Sequence, residues 1–261
     1  MKKVCLSVLG AIVGLAFTSC SNHPDMEEMA QKEMTVTYEE AFTKKFGQPA
    51  SDQDWGFDVY GVPETKASTR KSGKQGDPSK WDFSCRIIGE DLTVDENSDF
   101  DFNDVVFDVV VEGQKNTQLI LQAAGGIYPI YIKHGNEIYE IHEQFGVETS
   151  QMVNTGEGSV EKDPVTIQTN WNIPNPNAVH EIQVYVVKNG VKSVLNASKG
   201  VPAAKICVPI TFEWCDERVP IETQYPRFTK WVKDKDYIWF YANILIFESP
   251  VHTTNRRFFL H

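Results

Sequence analysis

The chain has 261 residues, and its 36 aspartates and glutamates outnumber its 25 lysines and arginines, which gives a formal net charge of −11. So acidic a protein is not expected to bind nucleic acid through charge, because the phosphates would be repelled. Beyond the amino terminus, charges, glycines or prolines interrupt every apolar stretch. The sequence therefore predicts no second segment of the length that spans a membrane, about 20 apolar residues.

The amino terminus has the three-part plan of a secretory signal. Lys2 and Lys3 precede an apolar run over residues 4–17, and two small residues lead to Cys20. The run of about 14 residues would form a helix about 21 Å long, which is short for a bilayer and favours a cleaved signal. We expect a signal peptide over residues 1–19 and lipidation of Cys20. The alternative is an ordinary signal with an incidental cysteine.

The expected mature chain is anchored by its lipid alone. Removal of residues 1–19 deletes two lysines and no acid, so the net charge of −11 falls by two to −13. Two or more acyl chains on Cys20 give the pair of anchoring signals that stable membrane residence needs. Asp25, Glu27 and Glu28 resemble the acidic export signals of Bacteroides-type surface lipoproteins. We therefore expect an outer-membrane protein displayed on the cell surface.

Residues 20–80 have the composition of a tether with one ordered patch. In residues 37–46, a capping threonine precedes apolar side chains at helical spacing, so we expect a short helix that ends at the next glycine. Trp55 and Phe57 need a surface to pack on, and we expect this patch to dock on the main domain. Residues 66–80, rich in Ser, Lys and Gly, predict a flexible linker.

Residues 81–241 show short β-branched and aromatic runs separated by turn residues. Many short strands without helical periodicity predict an all-β domain, a β-sandwich of jelly-roll type. About 160 residues is enough to bury a substantial core. Residues 242–261 are expected to form a tail of uncertain order. The predicted strands are residues 81–88, 105–111, 117–124, 127–132, 165–170, 181–187, 205–208 and 237–241.

Oxygen-bearing side chains are crowded into residues 95–108. Close carboxylates repel each other by about 1 kcal/mol per pair in water and by more at lower dielectric, so a bound cation would stabilise them. Ca²⁺ accepts many oxygen ligands in a flexible loop, whereas Mg²⁺ demands a tight octahedron, and the lack of His and Cys argues against zinc or copper. We predict a structural Ca²⁺ ion with ligands among Asp95, Asn97, Asp99, Asp101, Asn103, Asp104 and Asp108.

The alternative for this acidic loop is a solvated turn without a metal. The stretch lacks the glycine and glutamate positions of an EF-hand. Phe100 and Phe102 alternate with the acids, and an extended backbone would place both rings on one side and the oxygens on the other. Asp108 falls within an apolar run and needs a cation or a backbone donor if it is buried.

Several sequence blocks follow one another in a recognisable order. They are RIIGEDL (86–92), DFDFNDVVFD (99–108), GG (125–126), EIHEQFG (140–146), NTG (154–156), VPITFEW (208–214) and YPRFTKW (225–231). Together they resemble the LruC-type domain of bacterial surface and secreted lipoproteins, and DWGF (54–57) is similar to a segment that precedes it in lipoproteins of the Bacteroides group. The resemblance implies a location and a Ca²⁺ loop, and no established activity.

Glu140, His142 and Glu143 form a second candidate polar site. A glutamate and a histidine at alternate positions would share one face of a strand and could hold a metal or a ligand. The alternative is a turn stabilised by a hydrogen-bonded, half-buried imidazole. A catalytic acid and base drawn from Asp101, Glu140 and His142 is a weaker reading, because the sequence has none of the usual nucleophile, zinc-protease or phosphate-loop motifs.

Three cysteines remain in the expected mature domain, Cys85, Cys207 and Cys215. An odd number allows at most one internal bridge. Cys207 and Cys215 would lie about 26 Å apart on an extended chain, which favours a bridge from Cys85 to one of them. The alternative is three buried free thiols that act as small hydrophobes.

The sequence as a whole predicts a non-enzymatic surface lipoprotein whose Ca²⁺-stabilised β-sandwich binds a glycan or a protein partner. The alternatives are a metal-dependent enzyme that acts on glycans and an adhesion or surface-assembly subunit. Tryptophans and tyrosines would offer sugar-stacking platforms if exposed, although packing in the core explains them more simply. These aromatics are Trp171, Trp214, Trp231, Trp239 and Tyr241.

Overall fold

The computed structural model describes residues 36–57, 83–92, 99–112 and 116–240. These residues all belong to one compact unit, Val36–His261. The predicted signal peptide, Cys20, the linker and the carboxy-terminal tail lie outside the described residues.

The predicted all-β fold is confirmed by two antiparallel sheets of five and four strands. The five-stranded sheet has the order β6-β3-β2-β1-β9, and the four-stranded sheet has the order β5-β4-β7-β8. The strands are β1 Phe83–Gly89, β2 Val105–Glu112, β3 Asn116–Ala123, β4 Ile130–His134, β5 Glu137–Glu140, β6 Val165–Thr169, β7 Gln183–Lys188, β8 Val191–Val194 and β9 Lys205–Val208.

The inner faces of both sheets contribute to one hydrophobic core, as in a β-sandwich. In β3, Leu119 and Leu121 are buried, whereas the residues between and beside them are half-buried. This alternation follows from the two-residue period of a strand, which sends successive side chains to opposite faces. Ile130 and Ile132 of β4 enter the same core from the second sheet.

The predicted amino-terminal helix forms and docks on the sandwich. Helix α1 (Tyr38–Phe46) begins with a capping box in which Thr37 and Glu40 exchange side-chain and backbone hydrogen bonds. The Tyr38 hydroxyl donates to the Ala203 carbonyl oxygen over 3.0 Å. The centroid of the buried Phe42 ring lies 5.7 Å from that of Trp55. The helix is thus part of the folded domain rather than a free piece of tether.

Several predicted boundaries differ from the structure. Residues 237–240 do not form the expected strand, because Trp239 is fully buried in an aromatic cluster instead. Strands β5 and β8 were not predicted, since both are only four residues long and neither shows an apolar period; β5 is mostly half-buried and β8 is largely exposed. The unpredicted short helices are α2 Ile141–Phe145, a 3-10 helix Pro176–Glu181, α3 Ile221–Gln224 and α4 Phe228–Lys233.

The helices of the described ranges do not reach membrane-spanning dimensions. None of them is long and apolar enough to cross a bilayer.

Candidate metal site

The antiparallel pairing of β1 with β2 places two acidic segments side by side. Gly89 pairs with Val105 in the ladder and also forms an isolated bridge with Asn103. Glu90, which follows β1 directly, therefore lies beside the acidic residues that precede β2. Its backbone N–H donates to the Ala204 carbonyl oxygen over 2.9 Å, which fixes the strand end.

Three carboxylates converge at this point. Glu90, Asp99 and Asp101 each offer one oxygen, and these three oxygens lie within 4.8 Å of one another. Glu90 is 4% exposed and Asp101 is 3% exposed, whereas Asp99 is half-buried. We call this group the acidic cluster.

The hydrogen bonds to the cluster come from backbone amides. Phe102 N–H donates to Oε2 of Glu90 over 3.1 Å, and Asn103 N–H donates to Oδ1 of Asp101 over 3.1 Å. Arg218 N–H donates to Oδ2 of Asp101 over 2.8 Å. Within the part of the chain that the structure describes, no lysine or arginine forms an ion pair with a member of the cluster. Among the described residues, the direct donors to the cluster are thus backbone dipoles, and the charges of Lys45 and Arg218 act on Asp99 without an ion pair.

The electrostatics of the cluster disfavour ionisation. Burial, together with the neighbouring Asp101 and Asp99, raises the pKa of Glu90 well above its usual range. Burial, and then the charge of Asp99, raises the pKa of Asp101 to about 8. Burial also raises the pKa of Asp99. A cation among these oxygens would reverse the effect, because an opposite charge at close range favours the ionised carboxylate.

Asp104 and Asn103 extend the same loop. Burial and the charges of Asp91 and Glu90 raise the pKa of Asp104 well above its usual range, and Oδ2 of Asp104 accepts a hydrogen bond from Asp91 N–H over 2.7 Å. The Asn103 side chain is fully buried and donates through Nδ2 to the Cys215 carbonyl oxygen over 3.1 Å. Its Oδ1 atom has no hydrogen-bond partner among the described residues.

The two phenylalanines of the loop anchor it to the core, but the backbone is not extended. Phe100 and Phe102 have φ angles of 56° and 57°, in the left-handed region. Both rings are buried. Phe100 packs on Phe46 of α1, and Phe102 packs on Phe228 of α4. The left-handed turns are sterically costly for residues with a side chain, and burial of the two rings offsets that cost.

Asp108, predicted as a metal ligand, lies outside the acidic cluster. The alternation of β2 brings it opposite Arg86 of β1, and Oδ1 accepts from Arg86 Nε over 2.7 Å while Oδ2 accepts from Nη2 over 3.0 Å. Gln122 Nε2 also donates to Oδ2 over 2.8 Å. Asp108 thus has the partner that a buried carboxylate requires, and that partner is an arginine. Asp95 and Asn97 lie outside the described residues.

The second polar site is a helix cap. The expectation that Glu140 and His142 share a strand face is wrong, because β5 ends at Glu140 and α2 begins at the next residue. Oε1 of Glu140 lies 2.9 Å from Nδ1 of the fully buried His142, whose Nε2 lies 2.9 Å from the Gly126 carbonyl oxygen. Oε2 of Glu140 accepts from Glu143 N–H over 2.6 Å, while the Glu143 side chain is exposed. The structure therefore gives these residues the turn-stabilising role.

Cys85, Cys207 and Cys215 are free and buried, in accord with the alternative of three buried thiols. A hydrogen bond that the Cys207 thiol donates to Cys85, followed by burial, raises the pKa of Cys207 well above its usual range.

Most of the candidate sugar-stacking aromatics belong to the core. Trp171, Trp231 and Trp239 are at most 3% exposed. Trp214 is half-buried, and Tyr241 lies outside the described residues.

The sequence reasoning missed Glu90 as a member of the site. Its position next to the acidic loop depends on the register of β1 with β2, which no local pattern reveals. The signal that was available is the pair of acids at 90 and 91, directly after a buried apolar strand. A hairpin-like pairing of residues 83–89 with 105–111 would have placed them beside the loop.

The donor set of the cluster suits a hard divalent cation. Oxygens within 4.8 Å of one another can share an ion at the Ca²⁺–oxygen distance of about 2.3–2.6 Å. Mg²⁺ usually keeps several waters and binds one or two carboxylates, so a cluster of three carboxylates fits Ca²⁺ better. The absence of nitrogen and sulfur donors from the cluster disfavours zinc.

Comparison with known proteins gives a single distant likeness to report. No family model and no curated protein matches the chain. One solved structure, described as a "Putative lipoprotein from Bacteroides ovatus", is similar at 14% identity over 58% of this chain and 71% of the other, with a TM-score of 0.39. A likeness this weak carries no conclusion about function, and the resemblance to the LruC-type domain stays a prediction of the sequence.

Proposed function

We propose that this chain is a lipid-anchored protein of the bacterial cell envelope whose β-sandwich holds Ca²⁺ at Glu90, Asp99 and Asp101 and binds an external glycan or protein. The observation that carries the metal site is the burial of two of these carboxylates without an ion pair to a lysine or arginine among the described residues. Buried carboxylates are costly unless they are protonated, paired or metal-bound. Ca²⁺ would allow all three to ionise.

Two features favour a structural role for the ion. Phe100 and Phe102 separate the candidate ligands and pack in the core, so the ion would fasten the loop to both α1 and α4. Asp101 also accepts from Arg218 N–H, which brings the segment before α3 to the same site. Asn103 Oδ1, buried in the same loop without a partner among the described residues, is a further oxygen that the loop offers.

The proposed location rests on the amino terminus. A charged start, an apolar run and a small-residue approach to Cys20 have the order of a lipoprotein signal, and the acids that follow favour display on the outer surface. Labelling with a radioactive fatty acid, followed by Cys20→Ala, tests the anchor. Protease treatment of whole cells tests surface display, and intact protein after this treatment would contradict it.

The geometry supports a binding protein better than an enzyme. His142 is the most obvious general base near the cap of α2, and both of its ring nitrogens already lie within 2.9 Å of Glu140 or Gly126. A base with both nitrogens engaged and no exposed surface has no free position for a substrate proton.

Calorimetric titration of the mature chain without its lipidated cysteine, residues 21–261, with Ca²⁺ tests the metal site. We expect binding with a rise in melting temperature, since a ligand that binds only the folded state stabilises it. Mg²⁺ at the same concentration should give a smaller rise, because it accommodates a cluster of several carboxylates poorly.

A pair of matched variants localises the ion. Asp101→Asn should remove most of the Ca²⁺ effect, whereas Asp234→Asn makes the same chemical change at an exposed position of the folded domain and should leave the effect intact. The metal proposal fails if millimolar Ca²⁺ produces neither heat nor stabilisation, or if the two variants respond alike.

A further inference from the structure

Trp214 is held in a fixed orientation beside the outer face of the five-stranded sheet. Its indole Nε1–H donates to the Asn154 carbonyl oxygen over 2.8 Å. The guanidinium carbon of Arg86 lies 5.0 Å from the ring centroid, and Arg86 is itself bound to Asp108. The ring therefore needs no rearrangement to serve as a contact surface, which lowers the entropic cost of binding.

Trp214 is half-buried, whereas the other four tryptophans of the described ranges are at most 3% exposed. It forms part of the wall of an open depression of about 650 Å³. The rest of the wall is mostly polar and comes from Gln122, Asn154 and the exposed loop that holds Glu161, Lys162, Asp163 and the apolar Pro164.

The sheet face beside the depression carries polar side chains together with one apolar residue of β3, Ile120. Gln118 of β3 pairs with Gln168 of β6, and Ile120 pairs with Thr166. These positions alternate with the buried residues of β3, so their side chains lie on the solvent side of the sheet. Glutamine and threonine side chains both donate and accept hydrogen bonds.

We propose that this depression is a binding site for a neutral oligosaccharide, with Trp214 as its stacking platform. The indole supplies an apolar surface for the C–H face of a sugar ring, and Gln122, Glu161 and Asp163 supply acceptors and donors for hydroxyl groups. Two acids against one lysine in the loop disfavour an anionic sugar.

The wall is poorly suited to a protein partner. The core of a protein interface is enriched in apolar and aromatic side chains with few charges. The exposed large hydrophobic residues of the described ranges lie elsewhere, at Val36, Ile127, Ile138, Val191, Val194, Val201 and Ile210. A single aromatic ring surrounded by hydrogen-bonding groups matches a sugar better.

This inference deepens the proposed function, because it names the class of partner. An array of neutral gluco-, manno-, galacto- and xylo-oligosaccharides, with uronic-acid and sialylated glycans beside them, tests it on the mature chain. We expect binding to at least one neutral series, and calorimetry on that series should show a Kd raised about tenfold or more by Trp214→Ala.

The controls separate the site from the fold. Val191→Ala, at a residue that is 64% exposed on the edge strand β8 of the other sheet, should leave the Kd unchanged. If Trp214→Ala does not fold, as judged by circular dichroism, Glu161→Ala with Asp163→Ala replaces it, because both side chains are exposed. That double variant should weaken binding several-fold.

Three outcomes overturn the inference: no glycan on the array is retained, only acidic glycans are retained, or the folded variants of the depression bind as the unchanged protein does. Repeating the titration in Ca²⁺ and in chelator keeps this result apart from the metal proposal. If glycan binding depends on Trp214 and the protein takes up no Ca²⁺, the metal site is refuted and the glycan site is not.

Discussion

The ring of Phe46 meets the ring of Phe100 edge-on, with centroids 5.5 Å apart and planes at 82°. Phe46 belongs to helix α1, and Phe100 lies between two members of the acidic cluster, Asp99 and Asp101. The same ring contacts Tyr38 at 5.5 Å and Phe42 at 6.1 Å. One side chain thus contributes both to the docking of the helix and to the placement of the carboxylates.

Phe100→Ala should destabilise the domain by about 3–5 kcal/mol, because it removes a buried ring and leaves a cavity. Urea unfolding followed by circular dichroism measures this loss. The same variant should bind Ca²⁺ more weakly, since the loop loses its anchor. Ile138→Ala, at a side chain that is 48% exposed, should change the stability by less than about 0.5 kcal/mol. Unchanged Ca²⁺ affinity in a destabilised Phe100→Ala protein would show that helix and loop are independent.

The raised pKa of Asp101 predicts a dependence of stability on pH. Burial raises this pKa from 3.8 to about 8, so between these values the folded state binds more protons than the unfolded state. The free energy of unfolding therefore falls as the pH rises through this window. In chelator, the melting temperature should be higher near pH 5 than near pH 8. Ca²⁺ should raise it most near pH 8, where it replaces the missing protons.

Asp101→Asn is the control for this titration, because an amide neither ionises nor repels Asp99. Its melting temperature in chelator should vary less between the two pH values than that of the unchanged protein. A melting temperature in chelator that rises from pH 5 to pH 8 would contradict the assignment of the cluster as an uncompensated set of buried acids.

Close packing around Asn103 gives a test of the neighbouring turn. A Cβ atom on Gly125 would lie 2.1 Å from Oδ1 of Asn103, so Gly125→Ala should displace the asparagine and cost about 1–3 kcal/mol of stability. Ca²⁺ affinity should fall with it. In an Asn103→Ala background the side-chain clash is absent and only the contact of 3.1 Å with the backbone oxygen of residue 103 remains, so the cost of Gly125→Ala should shrink. Additive costs in denaturant unfolding would mean that the two residues do not interact.

The sequence was sufficient for those features that depend on local pattern. The apolar residues alternate in β3 and recur at helical spacing after Thr37, and each pattern shows which side of the element is buried. Both elements form where they were expected. The crowding of acids indicated an unusual loop, and the structure places a buried carboxylate at Asp101 and a half-buried one at Asp99 there.

Features that depend on register or on tertiary contacts were beyond local pattern. Glu90 joins the cluster only because Gly89 pairs with Val105. The short helices α3 and α4 lack side-chain caps and are stabilised mainly by buried residues such as Ile221, Phe228 and Trp231. The left-handed φ angles of Phe100 and Phe102 could not be predicted from the residue types, because glycine or asparagine is the usual residue in that conformation.

Arg86 and Asp108 form a buried, bidentate ion pair, with each residue less than a tenth exposed. Asp108→Asn should destabilise the domain by about 3–5 kcal/mol, because it leaves the guanidinium without its counter-charge. The combined change Arg86→Met with Asp108→Leu should cost less, since no charge then remains to be buried. Denaturant unfolding of Arg86→Met, of Asp108→Leu and of their combination measures the coupling free energy between the two residues.

The same variants decide whether Asp108 takes part in metal binding. Both oxygens of its carboxylate already accept hydrogen bonds from protein donors, two from Arg86 and one from Gln122. The Ca²⁺ affinity of a folded double variant should therefore stay within about twofold of the unchanged protein, a difference of about 0.4 kcal/mol or less. A tenfold loss would place Asp108 among the ligands after all and would require the loop to rearrange on binding the ion.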